Sequence, residues 1–186
     1  MNEPVVVLDS CVLYPAPLRD FLMHLALLDL FRARWTKAIH AEWIRNVLKS
    51  RPDLNFEQLE RTKNLMNLHV RDCLVKDYES LIETLDLPDE DDRHVLAAAI
   101  KAKANFILTF NLKDFPPKTL AKHGIEAKHP DKFIVSLLDA NAKKVCLAAE
   151  RQRLSLKNPP KNREEFLETL RQQNLIETCE ILAKML

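Results

Sequence analysis

The sequence has almost no glycine and few aromatic residues. Gly124 is the only glycine in 186 residues, which excludes the GxGxxG and Walker A loops that cradle phosphates. Any phosphate contact must therefore come from a metal ion, from side chains or from helix N-termini. Aromatic residues make up 6% of the chain, so no platform for stacking bases is evident from composition.

Other classes of protein are excluded by spacing and by run length. The four cysteines, Cys11, Cys73, Cys146 and Cys179, form no CxxC pair, so a thiolate zinc site is not expected. The six histidines form neither HExxH nor HxH. No apolar run approaches the roughly 20 residues that span a bilayer, and the first residues lack a signal-peptide pattern. We therefore expect a reducing cytoplasm and free thiols.

Charge and hydrophobicity describe an ordinary globular chain. Lysine and arginine number 28 against 27 acidic residues, a net charge of +1, so bulk charge does not indicate a partner. Hydrophobic residues make up 47%, enough for the core of one domain plus an appendage. A nucleic-acid partner would require the basic residues to be grouped on one face.

Short apolar runs alternate with helical periodicity over about the first 130 residues. Strands are predicted at 5–8, 32–35, 70–75 and 106–110, helices at 18–31, 36–48, 56–68, 77–85 and 93–103, and loops at 14–17 and 111–117. This alternation predicts an α/β fold with a central parallel sheet covered on both faces. From 131 to 186 only helical periodicity persists, and Asn162 with Glu165 predicts a capping box. We therefore divide the chain into a domain at 1–130 and an all-helical C-terminal extension at 131–186.

Acidic residues follow or flank the predicted sheet elements. Asp9 ends the first apolar run, Asp92 precedes a helix, and Asp114 lies four residues past the run at 106–110. Active sites of open α/β sheets lie beyond the carboxyl ends of the strands, so we expect these three carboxylates to converge, joined by Glu42. Hard oxygen ligands select Mg²⁺ or Mn²⁺. Taken singly, each acid is equally typical of a turn, a helix cap or a solvated face.

Some choices within this set stay open, and neighbouring residues are candidates for supporting roles. Four acids in succession, Asp89, Glu90, Asp91 and Asp92, exceed what a helix N-terminus needs. Helical spacing favours Asp92 as the ligand, with Asp91 as the alternative. Candidates for contacts to substrate, water or the acids are Ser10, Arg93, Thr109, Asn111 and Lys113, and further basic residues near the predicted acidic mouth are Lys118 and Lys122. His94 is the histidine nearest the predicted site.

At these residues the chain resembles the PIN-domain nucleases, and more closely the VapC-type ribonuclease toxins of type II toxin–antitoxin systems. The matching segments are residues 7–15, 35–46, 89–99 and 107–116. The resemblance implies a three-layer α/β/α fold, a C-terminal helical extension as in one subgroup, and Mg²⁺- or Mn²⁺-dependent RNA cleavage. It carries metal binding onto Asp9, Glu42, Asp92 and Asp114. Many members have an aspartate where this chain has Asn111, so Asp114 takes that role.

These observations predict an endoribonuclease in which a metal-activated water attacks the phosphodiester bond. The implied partners are RNA, a cognate antitoxin and a second copy of the chain. One rival is a metal-dependent phosphatase for a small phosphate ester, although the Asp-x-Asp of the haloacid-dehalogenase kind is absent after the first strand. The other rival is a non-catalytic binding module whose acids are helix caps.

Overall fold

The computed structural model describes residues 3–186 and contains one parallel sheet in that range. Its strands are β1 (Val5–Leu8), β2 (Arg32–Arg34), β3 (Phe106–Leu108) and β4 (Glu126–Lys128), arranged in the order β2-β1-β3-β4. Val6 pairs with Phe106, and Val7 with Ile107. An unbroken β-branched run is typical of a central parallel strand buried on both faces. The predicted α/β fold class is confirmed.

Seven helices surround the sheet in residues 3–129. They are α1 (Ser10–Leu13), α2 (Ala16–Leu27), α3 (Lys37–Ser50), α4 (Phe56–His69), α5 (Glu79–Ile82), α6 (Arg93–Lys101) and α7 (Pro117–Ala121). The N-cap of α3 is Thr36, whose hydroxyl accepts a hydrogen bond from the Ile39 amide at 3.0 Å. Two 3-10 turns, Glu90–Asp92 and Leu112–Asp114, precede α6 and α7.

The C-terminal part is helical, as predicted. It consists of α8 (Pro130–Ser155), kinked at Asn141, α9 (Arg163–Arg171) and α10 (Ile176–Met185). The capping box of Asn162 with Glu165 is formed. Phe133 of α8 packs edge-on against Phe31, with ring centroids 5.2 Å apart. The extension therefore shares its core with the sheet.

Hydrogen bonds tie the extension to α2 and tie two of its own helices together. Gln152 Nε2 of α8 donates to the Pro17 carbonyl of α2 at 2.9 Å. The buried Asp131 carboxylate accepts from the amides of Glu177 at 2.9 Å and Thr178 at 2.8 Å, in the first turn of α10. A carboxylate at a helix N-terminus satisfies amides that have no partner inside the helix. No helix within residues 3–186 is long and apolar enough to cross a membrane.

Several predicted elements differ from the structure. The predicted strand at 70–75 is reduced to one bridge between Trp35 and Leu74, because Asp72 has a φ of 52° that interrupts an extended run. The predicted helix at 77–85 shortens to α5, after Asp77 with a φ of 56°. Part of the predicted loop at 14–17 is helical, since α2 begins at Ala16 and proline is tolerated in a first turn. Strand β4 and helix α7 were not predicted.

Candidate active site

Asp9 lies at the carboxyl end of β1 and is 3% exposed. Its amide donates to the Leu108 carbonyl of β3 at 3.1 Å, which ties its backbone to the neighbouring strand. Its carboxylate accepts hydrogen bonds from the Ser10 amide at 2.6 Å, the Thr109 hydroxyl at 2.8 Å and the Cys11 thiol at 3.2 Å. Burial raises the pKa of Asp9, and the hydrogen bonds, led by that from Thr109, oppose the rise.

Glu42 joins α3 to both α1 and α6. Its Oε1 accepts from the Ser10 hydroxyl at 2.7 Å, and its Oε2 lies 3.5 Å from Nε2 of His94. The hydrogen bond with His94 is the largest cause of the lowered pKa of Glu42, and Ser10 adds to it against the opposing effect of burial. Glu42 therefore stays ionised, and its negative charge helps to raise the pKa of Asp9.

The negative charges of the other predicted acids affect the ionisation of Asp92. Its pKa is raised to about 7, first by burial and then by the negative charges of Asp9, Asp89, Asp114 and Glu42. Like charges close together disfavour ionisation. The negative charges that act on Asp92 thus belong to Asp9 after β1, Glu42 of α3 and Asp114 after β3, as well as to Asp89 of its own segment.

The four successive acids before α6 differ in environment. Asp89 caps the 3-10 turn, because its Oδ1 accepts from the Asp91 amide at 2.9 Å. Glu90 pairs with Arg93 at 3.0 Å. Asp91 is exposed, whereas Asp92 is half-buried. Of the two alternatives for the ligand, the charge-coupled position is thus Asp92.

Asp114 and the other residues after β3 play different parts. Asp114 ends the turn Leu112–Asp114, is half-buried, and contributes to the raised pKa of Asp92. Thr109 is fully buried, and its hydroxyl, which donates to Asp9, accepts from the Asn111 amide at 3.0 Å. The Thr109 hydroxyl thus uses both of these hydrogen bonds within the protein. The side chain of Asn111 is exposed.

The predicted basic residues are less closely tied to the acids. Arg93 makes its ion pair with Glu90, and the side chains of Lys113, Lys118 and Lys122 are exposed. Their ion pairs and hydrogen bonds in the described part of the chain do not involve the four predicted ligands.

The role of Cys11 in the site was not predicted, and neither was the contact that His94 makes. The Cys11 thiol donates to Asp9 and also accepts from the Phe110 amide at 3.3 Å, and burial together with the Asp9 charge raises its pKa to about 12. The thiol is therefore a neutral donor. His94 was predicted to lie near the site, but its pairing with Glu42 depends on the packing of α6 against α3.

The donor chemistry of this cluster fits a hard divalent cation. Within residues 3–186, no three His, Cys, Asp or Glu side chains stand in an arrangement that could already hold a metal ion. The donors are nevertheless carboxylate oxygens, the ligands that Mg²⁺ and Mn²⁺ prefer. The raised pKa of Asp92 marks uncompensated negative charge, which a cation would relieve.

Comparison with known proteins shows which family the chain belongs to. The family model described as "PIN domain" matches residues 5–113, more than half of the chain, and the chain therefore belongs to the PIN-domain family. The model described as "VapC50 C-terminal domain" matches residues 130–184. The predicted likeness to VapC-type PIN proteins with a C-terminal extension is thus confirmed.

One curated relative is similar over a short stretch. It is named "Putative ribonuclease VapC50", from Mycobacterium tuberculosis (strain ATCC 25618 / H37Rv), and is 52% identical over 48 residues. The aligned stretch covers 26% of this chain and 28% of that protein, less than a third of either. No solved structure matches the chain significantly.

Proposed function

We propose that this protein is a metal-dependent endoribonuclease that hydrolyses RNA phosphodiester bonds, and that it is the toxin of a toxin–antitoxin pair. The observation that carries the proposal is the pair of carboxylates Asp9 and Glu42, joined through Ser10 at the carboxyl end of β1 in a PIN-family chain. The neighbouring negative charges that, after burial, raise the pKa of Asp92 support it. The similarity to a protein named as a VapC50 ribonuclease supports RNA as the substrate.

In this proposal Asp9, Glu42, Asp92 and Asp114 hold Mg²⁺ or Mn²⁺. When bound, such an ion lowers the pKa of a coordinated water and stabilises charge on the phosphate. The carboxylate oxygens supply the negative charge that selects a cation. Asp91, the alternative ligand, is exposed, and the proposal assigns the ion to Asp92 instead.

The surrounding side chains hold the carboxylates in place. Ser10 contributes its amide to Asp9 and its hydroxyl to Glu42, so one residue sets the positions of both acids. Thr109 and Cys11 orient Asp9 from the opposite side. Such supporting hydrogen bonds typically change metal affinity or activity 10- to 100-fold when removed.

The test is cleavage of a single-stranded RNA in Mg²⁺ or Mn²⁺ by purified variants. We expect Asp9→Asn and Asp92→Asn each to lower the rate at least about 100-fold, since a ligand should matter more than a supporting residue. Asp91→Asn is the matched control and should cleave as the wild type does. Retained cleavage by Asp9→Asn, or turnover of a generic phosphomonoester without RNA cleavage, would refute the proposal.

We further propose that the C-terminal extension covers residues 131–186. We also propose that the antitoxin binds an apolar groove between α2, α4 and this extension. The groove encloses about 520 Å³ and is lined by Met23, Met66 and Phe166, among others. Leu27 and Leu65, 49% and 45% exposed, stand at its rim. An amphipathic helix laid in such a groove is a common mode of recognition.

The antitoxin proposal is tested by co-purification of the two proteins from one operon. Leu27→Glu with Leu65→Glu should release the antitoxin, because a charge would be buried in the groove. Leu154→Glu, at an exposed position outside the groove lining, should retain it. The homodimer and the cytoplasmic location stay predictions.

A further inference from the structure

A second groove, with basic walls, lies between α3 and α4. It encloses about 820 Å³. Lys37, Arg45 and Lys49 of α3 line it, and all three side chains are exposed. Arg45 and Lys49, four positions apart, are neighbours on the helix surface, and Lys37 lies about two turns before Arg45. Because all three border the groove, we call them the α3 row.

The positive charges of this row are not neutralised within the described part of the chain. Its ion pairs near the groove join Glu60 to Lys63 and Arg51 to Asp53. Glu60, the acid in the groove lining, is therefore already paired. The three cations of α3 remain available to an anionic partner.

The floor of the groove is rigid and uncharged. The indole Nε1 of Trp43 donates to Nδ1 of His40 at 2.9 Å, so the ring proton of neutral His40 lies on Nε2. That proton is donated to Oδ1 of Asn67 at 3.1 Å, which also accepts from Trp35 Nε1 at 2.8 Å. Burial lowers the pKa of His40 to about 4, and the ring is therefore neutral at pH 7.

An exposed aromatic ring stands at one end of the groove. Phe56, the first residue of α4, lines the groove and is 57% exposed. Arg45, which lines the groove, follows Glu42 by three residues on α3, so the two side chains are neighbours on the helix surface. Helix α3 therefore contributes both to the groove and to the acidic cluster.

We propose that the α3–α4 groove holds a single-stranded stretch of the RNA substrate beside the bond that is cleaved. Lys37, Arg45 and Lys49 contact its phosphates, and Phe56 stacks on a base. The row spans about 18 Å along the helix, which accommodates a few nucleotides. A groove of cations with an aromatic ring at its edge is the arrangement that binds single strands. The inference rests on the proposed nuclease function for the identity of its ligand.

The test measures binding separately from cleavage. A fluorescein-labelled single-stranded RNA of about 12 nucleotides is titrated in EDTA and followed by fluorescence anisotropy. The triple variant Lys37→Glu, Arg45→Glu, Lys49→Glu should bind at least about 10-fold more weakly. The slope of log affinity against log salt should fall by about 2, because each lost phosphate contact removes about 0.7.

A matched control keeps the same change in net charge. Lys143, Lys157 and Lys184 are exposed positions of the C-terminal extension, and their triple replacement by glutamate should leave binding within about twofold of the wild type. Equal losses in the two triple variants would mean that only net charge matters, and the inference would be wrong. Circular dichroism and thermal unfolding check that both variants fold.

A second pair of variants tests the aromatic contact without changing charge. Phe56→Ala should weaken binding at least about fivefold, since a stacked base contributes that much or more. Leu68→Ala removes an apolar side chain that is 75% exposed on the same helix and lies outside the groove lining, so it should bind normally. Equal binding by both variants would contradict the stacking contact.

The outcomes distinguish this inference from the nuclease proposal. If the wild type binds RNA through the groove but does not cleave it in Mg²⁺ or Mn²⁺, the nuclease proposal fails and the groove stands. If the wild type cleaves and the α3 variant binds and cleaves normally, the groove inference fails alone. A change of oligomeric state in the α3 variant, with RNA affinity unchanged, would identify the surface as a protein contact and overturn the inference.

Discussion

Removing the Asp131 carboxylate should loosen the last helix. In the structure this buried side chain accepts from two amides in the first turn of α10. Hydrogen bonds to a charged group contribute about 1.5–3 kcal/mol each. The Glu177 amide is at a half-buried residue that water can reach, whereas Thr178 is fully buried. One of the two amides is therefore left without a partner in Asp131→Ala.

From these contacts we expect Asp131→Ala to lower the free energy of unfolding by about 3 kcal/mol, and the melting temperature by about 6–12 °C for a chain of this size. Asp131→Asn keeps one carbonyl acceptor and should lose about half as much. Asp139→Ala, at an exposed position of the same helix, should change stability by less than about 0.5 kcal/mol.

Equilibrium unfolding in urea measures these values with two signals. The tryptophans, Trp35 and Trp43, lie in the N-terminal part, so their fluorescence reports that part, while far-ultraviolet circular dichroism reports all helices. If α10 detaches first in Asp131→Ala, the dichroism transition occurs at a lower urea concentration than the fluorescence transition. Stability of Asp131→Ala within about 0.5 kcal/mol of the wild type would refute the assignment of these hydrogen bonds as an anchor.

Three further predictions concern the site and one helix end. Thr109→Val deletes the buried donor to Asp9 and should lower RNA cleavage about 10- to 100-fold, with Thr109→Ser near the wild type; equal rates would contradict its supporting role. The folded-state pKa of Asp92, about 7, exceeds the ordinary value of 3.8 for an aspartate. Its contribution to metal-free stability is therefore complete below about pH 4 and is lost as pH rises through 7. In EDTA at pH 8, Asp92→Asn should be more stable than the wild type by about 1–2 kcal/mol, a value discounted for partial exposure, whereas Asp91→Asn should not; a stability difference independent of pH would contradict the coupling. Lys103 lies just after α6 with a φ of 51°, and Lys103→Gly should raise the free energy of unfolding by up to about 1 kcal/mol, as measured by thermal unfolding. A lower free energy of unfolding would show that the Lys103 side chain stabilises the fold by more than the backbone strain costs.

The central strand and the capped helices were predictable because their determinants are local. The run Val5–Leu8 is buried on both faces, and the hydroxyl of Thr36 caps α3 as its position suggests. Strand β4 was not predictable from Glu126, Ala127 and Lys128, which have little preference for strands. It forms because β3 offers it backbone partners at the edge of the sheet, which is a tertiary effect.

The candidate acids were visible in the sequence, but their supporting contacts were not. Asp9 and Thr109 are 100 residues apart, and their hydrogen bond depends on the register of β1 with β3. The pairing of Glu42 with His94 likewise depends on how α3 and α6 pack. Burial and neighbouring charges favour Asp92 over Asp91, as helical spacing does, and the assignment of the ligand stays a prediction. Whether these acids bind a metal stays a prediction.

Strand β1 is synthesised about 100 residues before one of its two partner strands, since Val6 pairs with Phe106. On a translating ribosome, a nascent chain that has reached only β2 has Asp9 but not the Leu108 carbonyl that holds its amide, nor Thr109 or Asp114. Under the proposed function, the incomplete chain therefore lacks the arrangement of side chains that would cleave RNA. Under that proposal, RNA cleavage requires β3 to have been synthesised and paired with β1, because Thr109 and Asp114 follow that strand.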